Sequence, residues 1–222
     1  MNFFNFYRKI RKAKDTGGDV EFNMYSDVDT IIDVGVAGGT PWLYSAFEKQ
    51  QFILIDPIPM NEPDLLRQIK LSKVEFFEKG LSYKREKVKI FVDLQASSLS
   101  SMCSRTQVSD RGHELEVREV EVVQLDSLLE ESRFDIGKLG IKIDTEGYEL
   151  NILKGAKKTL KKCDFIISEV STSKRFFDSY SFSELITFLF ENGFEVNKVI
   201  RCSSSKKGLI RTMDVLFTKI EC

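Results

Sequence analysis

The segment "TIIDVGVAGGTPW", Thr30–Trp42, narrows the folds open to this chain more than any other. Apolar, β-prone residues run into Asp33, a glycine-rich turn follows, and Pro41 opens a helical pattern. A buried strand passed directly to a helix is half of a strand–helix–strand unit, and such units assemble into parallel sheets. The alternation continues along the chain. "QFILIDP" reads as a second strand stopped by Pro57, "EPDLLRQIKLS" as a helix and "VEFFEKGLS" as a third strand. Further on, "KLGIKID" reads as a strand, "EGYELNILKGAKKTLKK" as one helix, "DFIISEV" as a strand and "SFSELITFLFENG" as a serine-capped helix ending in glycine. Two segments alternate apolar and polar residues, "EKVKIFVDL" and "LEVREVEVVQL", as half-exposed strands do; Asp126 follows as the expected cap of "SLLEES". "FEVNKVIR" and "MDVLFTKI" have no helical pattern between them and read as an antiparallel closing pair.

With 222 residues the chain reads as one domain spanning 1–222. Within it, residues 1–20 read as a basic helix and residues 95–120, serine-rich at first, as a lid or substrate loop. The formal net charge of −1 offers no field suited to nucleic acid. No apolar run approaches the ~20 residues that span a bilayer. The opening "MNFFNFYRKIRKAKD" puts aromatics before cations, the reverse of a secretory signal. Its aromatics would pack on the body, or residues 1–14 could lie on a membrane surface or dock a partner. Four scattered cysteines without C-x-x-C spacing point to reduced thiols and a cytoplasmic setting. A single histidine, His113, argues against a histidine-rich metal site and reads as a loop residue, while Trp42 reads as core.

In a parallel sheet covered on both faces, ligands bind beyond the carboxyl ends of the strands. That brings Asp33–Gly39, Asp56, Glu78–Ser82, Asp144–Gly147 and Glu169–Ser171 to one edge. The dinucleotide pattern G-x-G-x-x-G fails after its first glycine, because Ala37 and Thr40 stand where glycines are needed. The pattern present is D-x-G-x-x-x-G, with Asp33, Gly35 and Gly39. An acid so close to the turn suits a cationic ligand such as S-adenosylmethionine better than a pyrophosphate. Asp56, 17 residues after Gly39, stands where a carboxylate accepts ribose hydroxyls. The expected cofactor set is Asp33, Gly35, Gly38, Gly39 and Asp56, with Gly80 and Leu81 from the third strand end.

Beyond this loop, the chain resembles the FkbM-type family of S-adenosylmethionine-dependent methyltransferases. The resemblance rests on "DVGVAGG", "LIDPIP", "QLDSLL", "IISEV" and above all "KIDTEGYELNILKGA", Lys142–Ala156, and it covers roughly residues 28–200. Ala37 and Asp56 depart from the Asn and Glu frequent in the family. The resemblance implies an α/β, Rossmann-like methyltransferase fold: a mainly parallel seven-stranded sheet with an antiparallel closing strand and helices on both faces. It also implies O-methylation of a small acceptor such as a sugar or glycan precursor. The alternatives are a non-catalytic cofactor-binding module of the same fold and an NAD(P)-dependent oxidoreductase. Methyl transfer to oxygen needs a group that aligns the hydroxyl and accepts its proton. Asp144, Glu146 and Glu169 are the candidate catalytic carboxylates, and together they could also hold a divalent cation, although no spacing requires a metal site. Lys142 could pair with one of these acids, Glu149 reads as a helix-surface or salt-bridge residue, and Ser97–Leu99 could shape the lid or touch substrate.

Overall fold

The computed structural model describes residues 22–58, 71, 73–205 and 208–220. The basic segment 1–20 and nearly all of the helix expected over 62–72 lie outside the described residues. The described residues form ten strands: β1 Thr30–Val34, β2 Gln51–Ile55, β3 Val74–Phe77, β4 Gly80–Leu81, β5 Glu86–Asp93, β6 Leu115–Val123, β7 Leu139–Ile143, β8 Cys163–Ser171, β9 Phe194–Ser204 and β10 Ile210–Lys219. The described α-helices are α1 Pro41–Ala46, α2 Leu125–Leu128, α3 Glu149–Lys154, α4 Lys157–Lys161 and α5 Phe182–Glu191.

Seven strands make one sheet in the order β3-β2-β1-β7-β8-β10-β9. All its neighbours are parallel except β10, which runs antiparallel between β8 and β9. β1 and β7 are buried along their whole length, as strands covered on both faces must be. One face carries Ile32, Val34, Ile141, Ile143 and Ile166 under α3, α4 and α5. The other carries Ile31, Phe52, Phe165 and Leu216 under α1.

Strand alternation explains where the charges go. Residues two apart share a face, so Asp33 follows Ile31, Lys142 and Asp144 follow Gly140, Glu169 follows Phe165 and Ile167, and Asp214 precedes Leu216. Register aligns Asp33 with Lys142 and Glu169 with Asp214. These ionisable residues thus gather on the α1 face, near the carboxyl ends of the parallel strands, and Asp56, two residues past Leu54, follows the same alternation. Beneath them the layer is apolar, and Gly140 leaves the room that the Phe165 ring fills: a Cβ there would meet the ring at 2.1 Å.

Several expectations change in the folded chain. "VEFFEKGLS" is not one strand: β3 lies in the main sheet, and β4 joins a second, three-stranded sheet in the order β4-β6-β5. The alternating segments are that sheet's antiparallel pair, β5 and β6. The helix expected over 146–162 is broken into α3 and α4 at Gly155–Ala156, where Gly155 presses on the Ser82 carbonyl and a Cβ would lie 2.1 Å from it. Asp126 caps α4 rather than its own helix, accepting from the Lys158 and Thr159 amides at 2.9 and 2.8 Å. Trp42 is 37% exposed, stacked on Phe22 rather than enclosed. The cap of α5 is as expected: Ser181 and Glu184 form a reciprocal capping box.

Candidate active site

A cleft opens at the carboxyl ends of β1, β2 and β7. Gly35 and Ala37 line it from the first loop, Asp56, Pro57 and Ile58 from the end of β2, and Asp144, Thr145 and Tyr148 from the loop after β7. Leu81, Ile90 and Ile152 give it an apolar wall, and the serine-rich turn from Ser97 to Ser101 lies across it.

The first loop is built from left-handed residues: Gly35 at φ 75°, Ala37 at φ 45° and Gly39 at φ 90°. Gly35 is required by its own protein neighbour, since a Cβ would meet the Asp144 carbonyl oxygen at 1.9 Å. Gly38 is exposed, with open space where a Cβ would go. The Ala37 amide donates to Asp56 Oδ2 and the Ile58 amide to Oδ1, both at 2.9 Å. Two bonds fix the carboxylate at the rim, and each oxygen keeps a lone pair for a further donor. Burial raises the Asp56 carboxyl above its usual range, opposed by these amides. Leu81 reaches the cleft. Gly80 lies behind it, packed against Met102 and Val122.

Asp33 does not reach the cleft: it is fully buried. Tyr44 Oη donates to Asp33 Oδ2 at 2.7 Å, and Lys142 Nζ stands 3.4 Å from Oδ1. The same ammonium is 3.6 Å from Asp144 Oδ2. Flanking carboxylates hold Lys142 protonated against its burial. Asp144 is the partly open member, its side chain 35% exposed.

Glu146 and Glu169 meet elsewhere. Glu146 takes a left-handed backbone conformation, φ 53°, which breaks the strand alternation and turns its side chain from Asp144 toward Arg175. Arg175 pairs with Glu146 and, through Nη1 at 2.9 Å, with Glu169. All three side chains are nearly enclosed. Burial pushes Glu146 up to about 7, opposed by Arg175. Burial, then Asp144 and Glu146, push Glu169 up to about 8. Arg175 sits in a stretch with no periodic or motif signal, so nothing local marked it. Glu149, expected at the helix surface or in a salt bridge, is fully buried; its Oε1 accepts the amides of Thr145 at 2.9 Å and Gly147 at 3.1 Å and draws the "DTEG" loop tight. With the acids paired in this way, no group of three His, Cys, Asp or Glu side chains is placed to hold a metal ion among the described residues.

The serine-rich segment is tied down at both ends. Ser101 Oγ donates to the Glu146 carbonyl at 2.7 Å, and the Thr106 amide to the Arg175 carbonyl at 2.9 Å. Arg105 Nη2 and His113 Nδ1 hold Asp93 at 2.7 and 2.9 Å. His113 therefore braces this roof and does not line the cleft. From Leu115 the segment read as a loop to 120 continues as β6.

The family model described as "Methyltransferase FkbM domain" matches residues 30–196. The chain belongs to the FkbM methyltransferase family. The match begins at β1 and takes in the cleft, the "KIDTEG" loop and Arg175. Among solved structures, the FkbM methyltransferase from Methylobacillus flagellatus KT is similar at 17% identity and a TM-score of 0.51, over 86% of this chain and 44% of that one. The chain thus spans less than half the length of that FkbM relative. The magnesium protoporphyrin IX methyltransferase from Synechocystis PCC 6803, with bound SAM, gives 9% identity and a TM-score of 0.47, over 99% of this chain and 93% of that one. A methyltransferase from Burkholderia thailandensis, solved with 1,6-didemethyltoxoflavin and S-adenosylhomocysteine, gives 13% identity and a TM-score of 0.47, over 99% and 86%. No curated protein matches the chain. The fold of this FkbM domain is the Rossmann-like methyltransferase fold: its main sheet carries the antiparallel strand, β10, next to its edge. No helix of the described residues is long and apolar enough to cross a membrane.

Proposed function

We propose that this FkbM domain is an S-adenosylmethionine-dependent O-methyltransferase for a small hydroxylated acceptor, with sugars and glycan precursors as the first class to test. The observation that carries the reading is the lining of the cleft. The cleft has an apolar wall and two carboxylates, Asp56 from the end of β2 and Asp144 after β7, with β1 between those strands. A nucleoside would lie against that wall with its ribose hydroxyls donating to Asp56. Gly35, Ala37 and Gly39 shape the loop that would face the rest of the cofactor.

The cofactor supplies a methyl carbon already activated by the sulfonium, so the protein's task is to align the acceptor and take its proton. Asp144 is the residue we assign to that task. Of the three candidate carboxylates it alone lines the cleft, while Glu146 and Glu169 are committed to Arg175. As the new carbon–oxygen bond forms and the carbon–sulfur bond breaks, the hydroxyl proton passes to Asp144 and S-adenosylhomocysteine leaves. The carboxylates are matched by Lys142 and Arg175, so the reading assigns no step to a divalent cation. Calorimetry with S-adenosylmethionine, S-adenosylhomocysteine and NAD(H) tests the cofactor; binding of NAD(H) alone would overturn the reading. A +14 Da mass-shift screen over nucleotide sugars and small glycans tests the acceptor class.

A further inference from the structure

Asp33 and Lys142 belong to the most buried part of the site, and neither has a role in the proposed reaction so far. Cross-strand register sets Asp33 beside Lys142, and alternation along β7 sets Lys142 beside Asp144. The ammonium bridges the two, 3.4 Å from Asp33 and 3.6 Å from Asp144. Asp33 is enclosed: Tyr44 holds one oxygen, and the other has no hydrogen-bond partner among the described residues and faces Lys142. A carboxylate so enclosed has no path to a ligand in the cleft.

We infer that Lys142 is a positioning residue that fixes the Asp144 carboxylate toward the acceptor, and that Asp33 anchors Lys142 rather than binding the cofactor. Asp144 stands one residue beyond the end of β7, in a loop that would otherwise leave its side chain free to turn. A lysine ammonium offers three donors on a flexible stem. Anchored at one end by Asp33, it can hold Asp144 in a single orientation. The other charges around Asp144 are Glu146 in its own loop, Glu169 on β8 and Asp214 on β10, each already matched by Arg175 or Arg201. Among the described residues, Lys142 is the cation that pairs with Asp144. The inference rests on Asp144 serving as the acceptor-side base.

The test uses the full chain. Because Lys142→Met alone would leave Asp33 buried and unmatched, the main variant is the double change Asp33→Asn with Lys142→Met, accompanied by Lys142→Arg. Three measurements are made: the dissociation constant for S-adenosylmethionine by calorimetry, kcat and KM for methyl transfer, and the carboxyl 13C resonance of Asp144, assigned by its loss in Asp144→Asn. In the double variant, cofactor affinity should stay within about threefold of wild type while kcat falls at least about tenfold, the separation expected of a group acting only in the chemical step. The Asp144 resonance should move and broaden, and Lys142→Arg should restore most of kcat. A cofactor affinity weakened by more than about tenfold would make Asp33 a cofactor ligand and overturn the inference. An unchanged Asp144 resonance would reduce Lys142 to a counter-charge for Asp33. If the wild-type protein methylates nothing, the proposed activity fails, while the affinity and the carboxyl resonance still decide the roles of Asp33 and Lys142.

Discussion

Two clusters in this domain have the same composition, a cation between two carboxylates, and different surroundings. Lys142 lies between Asp33 and Asp144, and Arg175 between Glu146 and Glu169. In the first, Asp144 keeps a third of its side chain open to the cleft; in the second, no carboxylate is more than 14% exposed. The comparison teaches that the number of acids near a site says little about which of them can act. Access separates a reacting group from a structural one, and access here is set by the roof, whose Thr106 amide holds the Arg175 main chain. The second cluster joins the "DTEG" loop to the segment after β8, and so shapes the floor on which the first cluster stands.

The sharpest way to break the comparison is to remove each cation or each acid and read stability against turnover. Arg175→Met should give the largest loss, about 3–5 kcal/mol of unfolding free energy, because two buried carboxylates lose their shared partner; denaturant melts measure it. Asp144→Asn should do the reverse, leaving the melt near wild type and lowering kcat about 10²–10⁴-fold, the usual share of general-base catalysis. Turnover that survives this change would remove Asp144 from the mechanism.

Gly35→Ala should cost about 1–3 kcal/mol, since it combines a left-handed backbone with a Cβ forced onto the Asp144 carbonyl. Cofactor affinity should weaken with it, because the same loop lines the cleft.

The Arg175 cluster also carries a pH signature. Glu146 and Glu169 hold protons to about 7 and about 8 when folded, against an ordinary value of 4.5. The folded state therefore binds more protons than the unfolded chain between these values. The stability this gives is full below about 4.5 and is lost as pH rises through about 8. Glu169→Gln should flatten that decline by at most ~1.4 kcal/mol per pH unit, the effect of one proton. His113→Ala should have the smallest effect, under about 1 kcal/mol, because Arg105 still holds Asp93 and the imidazole is partly solvated.

Much of the site was legible along the chain because its geometry is local. The turn after β1 declares itself through Gly35 and Gly39, the rim acid through Asp56 before Pro57, and the loop after β7 through "KIDTEG". Strand period alone puts Lys142 and Asp144 on one face. The small sheet was harder to read, because an alternating strand does not announce its partner, and "VEFFEKGLS" served two sheets. The helix break at Gly155 was hidden because its cause is the Ser82 carbonyl, far away in sequence. Asp126 caps α4 rather than the helix it lies in for the same reason: the Lys158 and Thr159 amides come from beyond its own segment.

By itself, then, the sequence determined the alternation of elements, the parallel sheet with its antiparallel closing pair, and the set of acids at the ends of the strands. Those follow from spacing, and spacing is a property of neighbours. The tertiary structure decided which acids stay open. Glu146 is closed by an arginine 29 residues away, and Asp33 by a lysine from a strand more than a hundred residues later. Burial makes an unmatched charge costly, so the enclosed Asp33, Glu146 and Glu169 take a cation from wherever the fold provides one, while Glu149 takes backbone amides. Only Asp144 is left both matched by a cation and open to the cleft.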